Sequence, residues 1–375
     1  MKLTALFFLP LFLSLLTLPG ASIAQTDSTG QHKAINSGTS FAPATKNKTT
    51  DLFLREDPLT FTLTARMQNI VRDRTKPKDD SLSIKHAALL TYTELAKAEM
   101  VSLPLTLLVR GNFRRNANNC DFPPLYLDFP KKKTKGTLFA KQNKLKLVTH
   151  CQAEDYVVRE YIIYKLYNQV TDLSFRARLA RVSYVDSLRK RQTETRWGFL
   201  IEDEDDMAKR NGATELKKGV EAIAADSLSM ARLAVFEYMI GNIDWSVMYR
   251  HNVRLVTKPE NRKPMVIPYD FDHAALVDAP YAHALEPDNT TGVPERQYRG
   301  PLYPGWLLKQ VFTEFNTLKP KFYALYETDK RLNRSYVKQT LRFLDAFYAV
   351  INDPAAVRNN FFNGDTGGIL FSSFK

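Results

Sequence analysis

Cysteine is almost missing from this chain: Cys120 and Cys151 are its only two in 375 residues. Two thiols with no matching histidine spacing argue against a zinc module. They leave two readings open. One is a disulfide closing a loop of about thirty residues, stabilising on the chain-entropy model; the other is a pair of buried free thiols. Glycine is sparse, at 15 residues, and nowhere forms a glycine-rich phosphate loop or a Walker-A motif, so any nucleotide cradle must be built differently. There is no internal repeat. Beyond the first two dozen residues no apolar run approaches the ~20 residues that a spanning helix needs, so no transmembrane segment is expected in the mature chain. Acidic residues are outnumbered, 40 against 53 Lys and Arg, for a net charge of +13. That balance suits acidic partners such as nucleotides, phosphorylated or acidic proteins, or anionic surfaces. The basic residues are scattered rather than gathered with aromatics into a recognised module, which argues against nucleic acid.

What remains is an ordinary globular composition, 44% hydrophobic and 25% charged, long enough for one large domain of two lobes or for two domains. Lys2, the apolar run Leu6 to Leu18, and the small residues Ala21 to Ala24 before Gln25 have the order of a secretory signal peptide cut after Ala24. Export to a periplasmic or extracellular space is the expectation. No Cys follows the cut, so lipid attachment there is not indicated. Residues 25–56 are read as a flexible leader, because their composition, rich in Ser, Thr, Gly, Asn and Lys as far as Asp51, buries too little to order itself. The fold is expected to begin near Pro58.

Residues 57–201 are strand-rich. Leu59 to Thr64 alternates apolar and polar residues, Ser102 to Arg110 is apolar and β-prone, and Pro124 to Phe129 forms a further strand. Lys144 to Val148 alternates so that Lys144 and Lys146 share one face. Arg72 to Asp80, with Pro77, reads as a charged loop. Residues 154–170 have the spacing of an amphipathic helix. Arg181 to Val185 and Trp197 to Ile201 read as paired strands. The acidic run Glu202 to Asp206 reads as a hinge opening residues 202–375, which are helix-rich. Asp226-Ser227 caps an almost wholly apolar helix that stops at Gly241. Trp306 to Phe315 and Tyr336 to Ile351 are further helices. The pattern is α+β.

The chemistry gathers between Gly241 and His273. Asp244 and Asn252 bound a polar loop, and Asp270 and Asp272 follow the apolar strand Met265 to Ile267. Three carboxylates and a carboxamide offer oxygen ligands of the kind a hard cation prefers. Their order, an Asp, then an Asn, then a strand-borne Asp, is the order of a phosphoryl-transfer site. The plain alternative is that these are turn residues bonded to nearby backbone.

The order of parts resembles the spore-coat CotH kinases, secreted or surface-associated atypical protein kinases. The matching features are Arg110-Gly111 after a strand, the strand-then-helix of Lys144 to Val170, and Gly198 to Glu202. Asn242-Ile243-Asp244 with His251-Asn252, and Tyr269 to Asp272, complete them. The resemblance covers roughly residues 100–280. It implies a bilobal protein-kinase-like fold, with a strand-rich N-terminal lobe and a helix-rich C-terminal lobe, and transfer of the ATP γ-phosphate to a protein hydroxyl. Carried over, Asp244 would accept the substrate proton, and Asn252, Asp270 and Asp272 would hold Mg²⁺ or Mn²⁺. Lys144 or Lys146 would pair with Glu160 and meet the phosphates, while Glu202 and Arg110 would contact nucleotide. The partner would be a protein substrate, acidic or Ser/Thr-rich. Many members carry a Lys in the strand after the Arg-Gly element, where this chain has Phe122-Pro123-Pro124, so the resemblance does not identify an ATP lysine at that position.

Local alternatives stand beside these roles. Either lysine can be part of a solvated strand face, and the run 202–206 a calcium site or a solvated face. His251 can simply order its loop, and Arg110, Arg114 and Arg115 can meet an acidic substrate or phosphate, or serve only solubility. Two other classes are open. Asp270-x-Asp272 after an apolar strand resembles the haloacid-dehalogenase phosphatase motif, which requires a parallel α/β domain. A catalytically inactive kinase-like module could serve as an exported cell-envelope binding protein.

Overall fold

Two hydrophobic clusters organise the chain, one inside a closed barrel of strands and one between that barrel and a set of helices. The structure, a computed structural model, describes residues 51–74, 84–94, 98–283 and 296–362. The expected signal peptide, most of the leader, and Pro77 of the charged loop lie outside the described residues.

The barrel comprises β1 (Leu59–Ala65), β2 (His86–Glu94), β3 (Glu99–Val109), β4 (Leu125–Asp128), β5 (Lys144–Val148), β6 (Ala177–Asp186) and β7 (Glu194–Ile201). Their spatial order is β1-β2-β3-β4-β5-β7-β6, and a parallel pairing of β1 with β6 closes the ring. Period-two patterning sends Phe61, Leu63, Leu145 and Leu147 into the interior. It leaves Lys144 and Lys146 together on the outer face of β5, as the alternation predicts. The folded region begins earlier than Pro58. Leu52 and Phe53, in a 3₁₀ turn, are buried with the barrel core, and Glu56 pairs with Lys165 at 2.7 Å. Helix α1 (Met67–Asp73) takes Arg72 and Asp73 from the expected charged loop, and residues 75–80 lie outside the described residues.

Helix α2 (Glu154–Val170) has the predicted bounds but is not amphipathic: Val157 to Tyr164 are buried without a break. The barrel covers one side and later helices the other, so no face is left for solvent. Glu202 is no part of a solvated hinge either. It is buried against Arg210 at 2.9 Å and accepts the Arg176 N–H, while Asp203 caps α3 (Glu204–Arg210). Asp226 caps α4 (Ser227–Ile240) by accepting the Ser229 N–H at 2.9 Å. Gly241, at φ +68, ends that helix. Asn242 N–H donates to Glu237 O (2.9 Å) and Gly241 N–H to Tyr238 O (3.2 Å), the paired bonds of a Schellman stop.

β8 (Thr214–Glu215), β9 (Val253–Lys258) and β10 (Asn261–Pro268) form a small antiparallel sheet. The strand before Asp270 is therefore antiparallel to its neighbour, unlike the parallel sheet that a dehalogenase-type phosphatase needs. Helices α5 (Pro280–His283), α6 (Gly305–Glu327), α7 (Arg334–Ile351) and α8 (Pro354–Phe361) complete the second cluster. Cys120 and Cys151 form a disulfide. Among the described residues no helix is long and apolar enough to cross a membrane. The fold is mixed α+β.

Candidate functional site

The β9–β10 hairpin brings distant parts of the motif together. Val253 pairs with Pro268, and Tyr269 N–H donates to Asn252 O at 3.0 Å, so Asn252 and Asp270 emerge side by side from the open end of the hairpin. Both have left-handed backbones, φ 52 and 64, which Asn and Asp tolerate better than most residues. Tyr164 on α2 fixes the second turn, since its hydroxyl accepts the Asp270 N–H at 2.9 Å.

Asp244 arrives from the end of α4. Asn242 Oδ1 accepts the Asp244 N–H (3.1 Å), and Asn242 Nδ2 donates to the buried Glu237 (2.9 Å). Backbone bonds of 2.9 Å in both directions between Ser246 and His251 close the loop. The Asp244 carboxylate then lies 2.7 Å from His251 Nε2 through Oδ1 and accepts Asn252 Nδ2 at 2.9 Å through Oδ2.

Asp244, Asn252, Asp270 and Asp272 line one cavity of about 430 Å³, together with Lys146 and Arg110 from the barrel. Three sequence-predicted residues do not line it. Lys144 lies 4.1 Å above the Tyr126 ring, Glu202 faces Arg210, and Glu160 is buried behind the wall. The Lys–Glu pair is also different from the expectation. Glu160 Oε2 accepts Arg114 Nη1 at 3.1 Å, and its Oε1 has no hydrogen-bond partner. Lys146 instead meets Glu204 at 2.7 Å, and Arg254 meets the same carboxylate at 2.8 Å. Burial alone would raise the Glu204 carboxyl, yet Arg254 and Lys146 hold it down at about 2. These pairings join side chains 46, 58 and 50 positions apart, which no local pattern in the sequence reports.

The electrostatics of the inner wall are unbalanced. Burial raises the Asp272 carboxyl, and the neighbouring Asp270 raises it further. Burial also raises Glu160, against the pull of Arg114, with Asp272 and Asp270 adding to the rise. Arg114 Nη1 is 3.9 Å from Asp272 Oδ2, so one buried guanidinium faces three acids.

The cavity offers oxygen donors but no complete metal site of its own. Among the described residues no group of three or more His, Cys, Asp or Glu side chains is placed to hold a metal ion. Asp270, Asp272 and the Asn252 carboxamide make an open, oxygen-only set beside excess negative charge. Mg²⁺ is commonly held this way, by one or two carboxylates plus substrate phosphates rather than by a complete protein cage. Besides Arg114, which the sequence offers as a group for an acidic substrate or phosphate, the cavity holds residues given no role from sequence: Tyr126, Arg254 and His273. Arg254 is on β9, two residues beyond Asn252, and that proximity is the one signal the sequence offers for it.

Fold and site together define a mixed α+β protein with a polar, charged cavity where the barrel meets the loops after α4 and β10. No family model matches the chain, and no curated protein sequence matches it. Among solved structures it is similar to that of a Helicobacter pylori proinflammatory kinase, CtkA, at 10% identity and a TM-score of 0.37, over 67% of this chain and 94% of that one.

Proposed function

We propose that the chain is an exported, CotH-like kinase whose barrel and helical halves act as two lobes around the cavity, and which transfers the γ-phosphate of ATP to a protein hydroxyl. One observation carries the reading: Asp244, held by His251 and Asn252, opens into the same cavity as Asp270 and Asp272. Asp244 is the group that accepts the substrate proton. Asn252, Asp270 and Asp272 are the residues that would hold Mg²⁺ or Mn²⁺, which when bound neutralises charge on the transferring phosphoryl group. The residues themselves do the positioning: Tyr164 fixes Asp270, and Asn242 fixes the Asp244 backbone. The Cys120–Cys151 disulfide supports export, because such bonds persist in oxidising compartments.

The test is a thermal-shift titration with ATP and Mg²⁺ or Mn²⁺, followed by incubation with γ-labelled ATP. A specific ligand must raise the melting temperature once it exceeds its Kd. Wild type is expected to shift and to label Ser or Thr, and Asp270→Ala to lose the metal-dependent shift. No shift in wild type, or an equal shift in Asp270→Ala, overturns the reading. Base-labile, acid-stable aspartyl-phosphate in place of labelled Ser or Thr would point to a phosphatase.

A further inference from the structure

A phosphate held in a low-dielectric site needs a preorganised cation, and protein kinases use a lysine paired with a helix glutamate. Here the helix glutamate, Glu160, is paired with Arg114 at 3.1 Å. The cavity lysine, Lys146, is committed to Glu204 at 2.7 Å. Arg114 is only 7% exposed, yet it lines the cavity beside Asp272. Its Nη2 donates to Thr149 O at 2.8 Å, which leaves the Nε as a buried N–H with no partner. A structural ion pair alone has no need of a position in the cavity wall or of an unsatisfied donor, because buried N–H groups without partners are costly.

We propose that Arg114, in place of a lysine, is the cation that holds the nucleotide phosphates, with Glu160 as the residue that orients it. The inference rests on the nucleotide reading above and goes beyond it by naming the anchor. Guanidinium suits the task chemically: it is permanently charged, and its planar fork matches two oxyanion oxygens at once. Glu160 and the Thr149 carbonyl fix the fork before a ligand arrives, so little freedom is lost on binding.

The test compares binding of MgATP and of adenosine, by calorimetry, to wild type, Glu160→Gln, Arg114→Gln/Glu160→Gln and Lys146→Gln. The double variant removes both members of the buried pair, so no uncompensated charge is left to unfold it. Charge-assisted bonds to phosphate predict a loss of about tenfold or more in MgATP affinity on going from Glu160→Gln to the double variant, with adenosine affinity unaltered. The loss in Lys146→Gln is expected to be smaller. Equal MgATP affinity in Glu160→Gln and a cooperatively melting double variant overturns the proposal, as does a larger loss in Lys146→Gln. If the double variant does not melt cooperatively, Arg114→Lys takes its place, since it keeps the charge and the Glu160 pair but loses the fork; unaltered MgATP affinity there also overturns the proposal. A wild type that binds neither ligand overturns the nucleotide reading itself, a separate outcome from failure at Arg114.

Discussion

The Nε2 atom of His251 lies 2.7 Å from Oδ1 of Asp244, while Asn252 Nδ2 holds the other oxygen of the same carboxylate at 2.9 Å. A carboxylate gripped at both oxygens has its plane fixed, and a proton acceptor must be aimed before it can act. Asp244→Asn keeps the shape but cannot take a proton. It is expected to lower kcat by about 10²–10⁴-fold, the usual worth of general base catalysis, with MgATP affinity nearly unaltered. His251→Ala should lower kcat with little change in KM, and His251→Gln, which restores an N–H near the same place, should recover part of the loss. Equal kcat in wild type and Asp244→Asn would remove this carboxylate from the mechanism.

Glu237 supports the same loop from below, and it is buried with Oε1 unpartnered. Burial pushes its carboxyl up to about 8, against the Asn242 amide bond and with help from Asp244, from an ordinary value of 4.5. The folded state therefore keeps a proton that the unfolded state releases between these two values. Stability must fall as pH rises from about 4.5 to about 8, and level off outside that window. Gln at this position still accepts the Asn242 N–H but has no proton to lose. Melting curves at pH 5, 6.5 and 8 should show Glu237→Gln gaining on wild type as pH rises. A difference that stays constant with pH would mean that Glu237 is already ionised in the folded protein.

Much of this framework was legible because it is local. The Asp226 cap, the Gly241 stop and the bounds of α2 each depend on residues within one helix. The apolar strand that leads to Asp270 is local as well, whereas its partner β9, whose register unites Asn252 with Asp270, has no counterpart in the sequence reading. What escaped depends on chain segments that meet only in space. Closure of the barrel needs β1 to lie parallel to β6, with Phe61 opposite Val182, and no short-range pattern announces that pairing. The sequence offers Glu160 the lysines of the preceding strand as partners, whereas Arg114 reaches it from the loop after β3. Glu202 belonged to an acidic run that reads as solvated, and became buried because Arg210, one α3 helix later, folds back on it.

Gly219 tests the loop from outside. A Cβ there would overlap the Met248 carbonyl oxygen and lie 2.7 Å from its carbonyl carbon, both backbone atoms that cannot rotate away. Gly219→Ala must therefore displace the turn between Ser246 and His251, and with it the imidazole that meets Asp244. The expected result is a fall in kcat of about 10²-fold, on the rule that a 1 Å misplacement costs about that much. The MgATP affinity should be retained, since the Arg114 and Asp270 walls are untouched. A variant with wild-type turnover would show that the turn can shift without disturbing the carboxylate.

The disulfide ties the Arg114 loop to the approach of α2. Cys120 ends the segment that carries Arg114, and Cys151 follows the Thr149 carbonyl that Arg114 grips, three residues before α2 starts. Breaking the bond relaxes the unfolded chain and costs about 4 kcal/mol on the chain-entropy model, so the melting temperature should fall by roughly 5–6 °C. The loss is also local. In Cys120→Ala/Cys151→Ala, amide exchange is expected to quicken first around residues 112–120 and 149–154, while the β9–β10 hairpin, which the bond does not touch, keeps its protection. If exchange instead rises uniformly across the chain, the bond stabilises the fold as a whole and holds the arginine no more firmly than any other side chain.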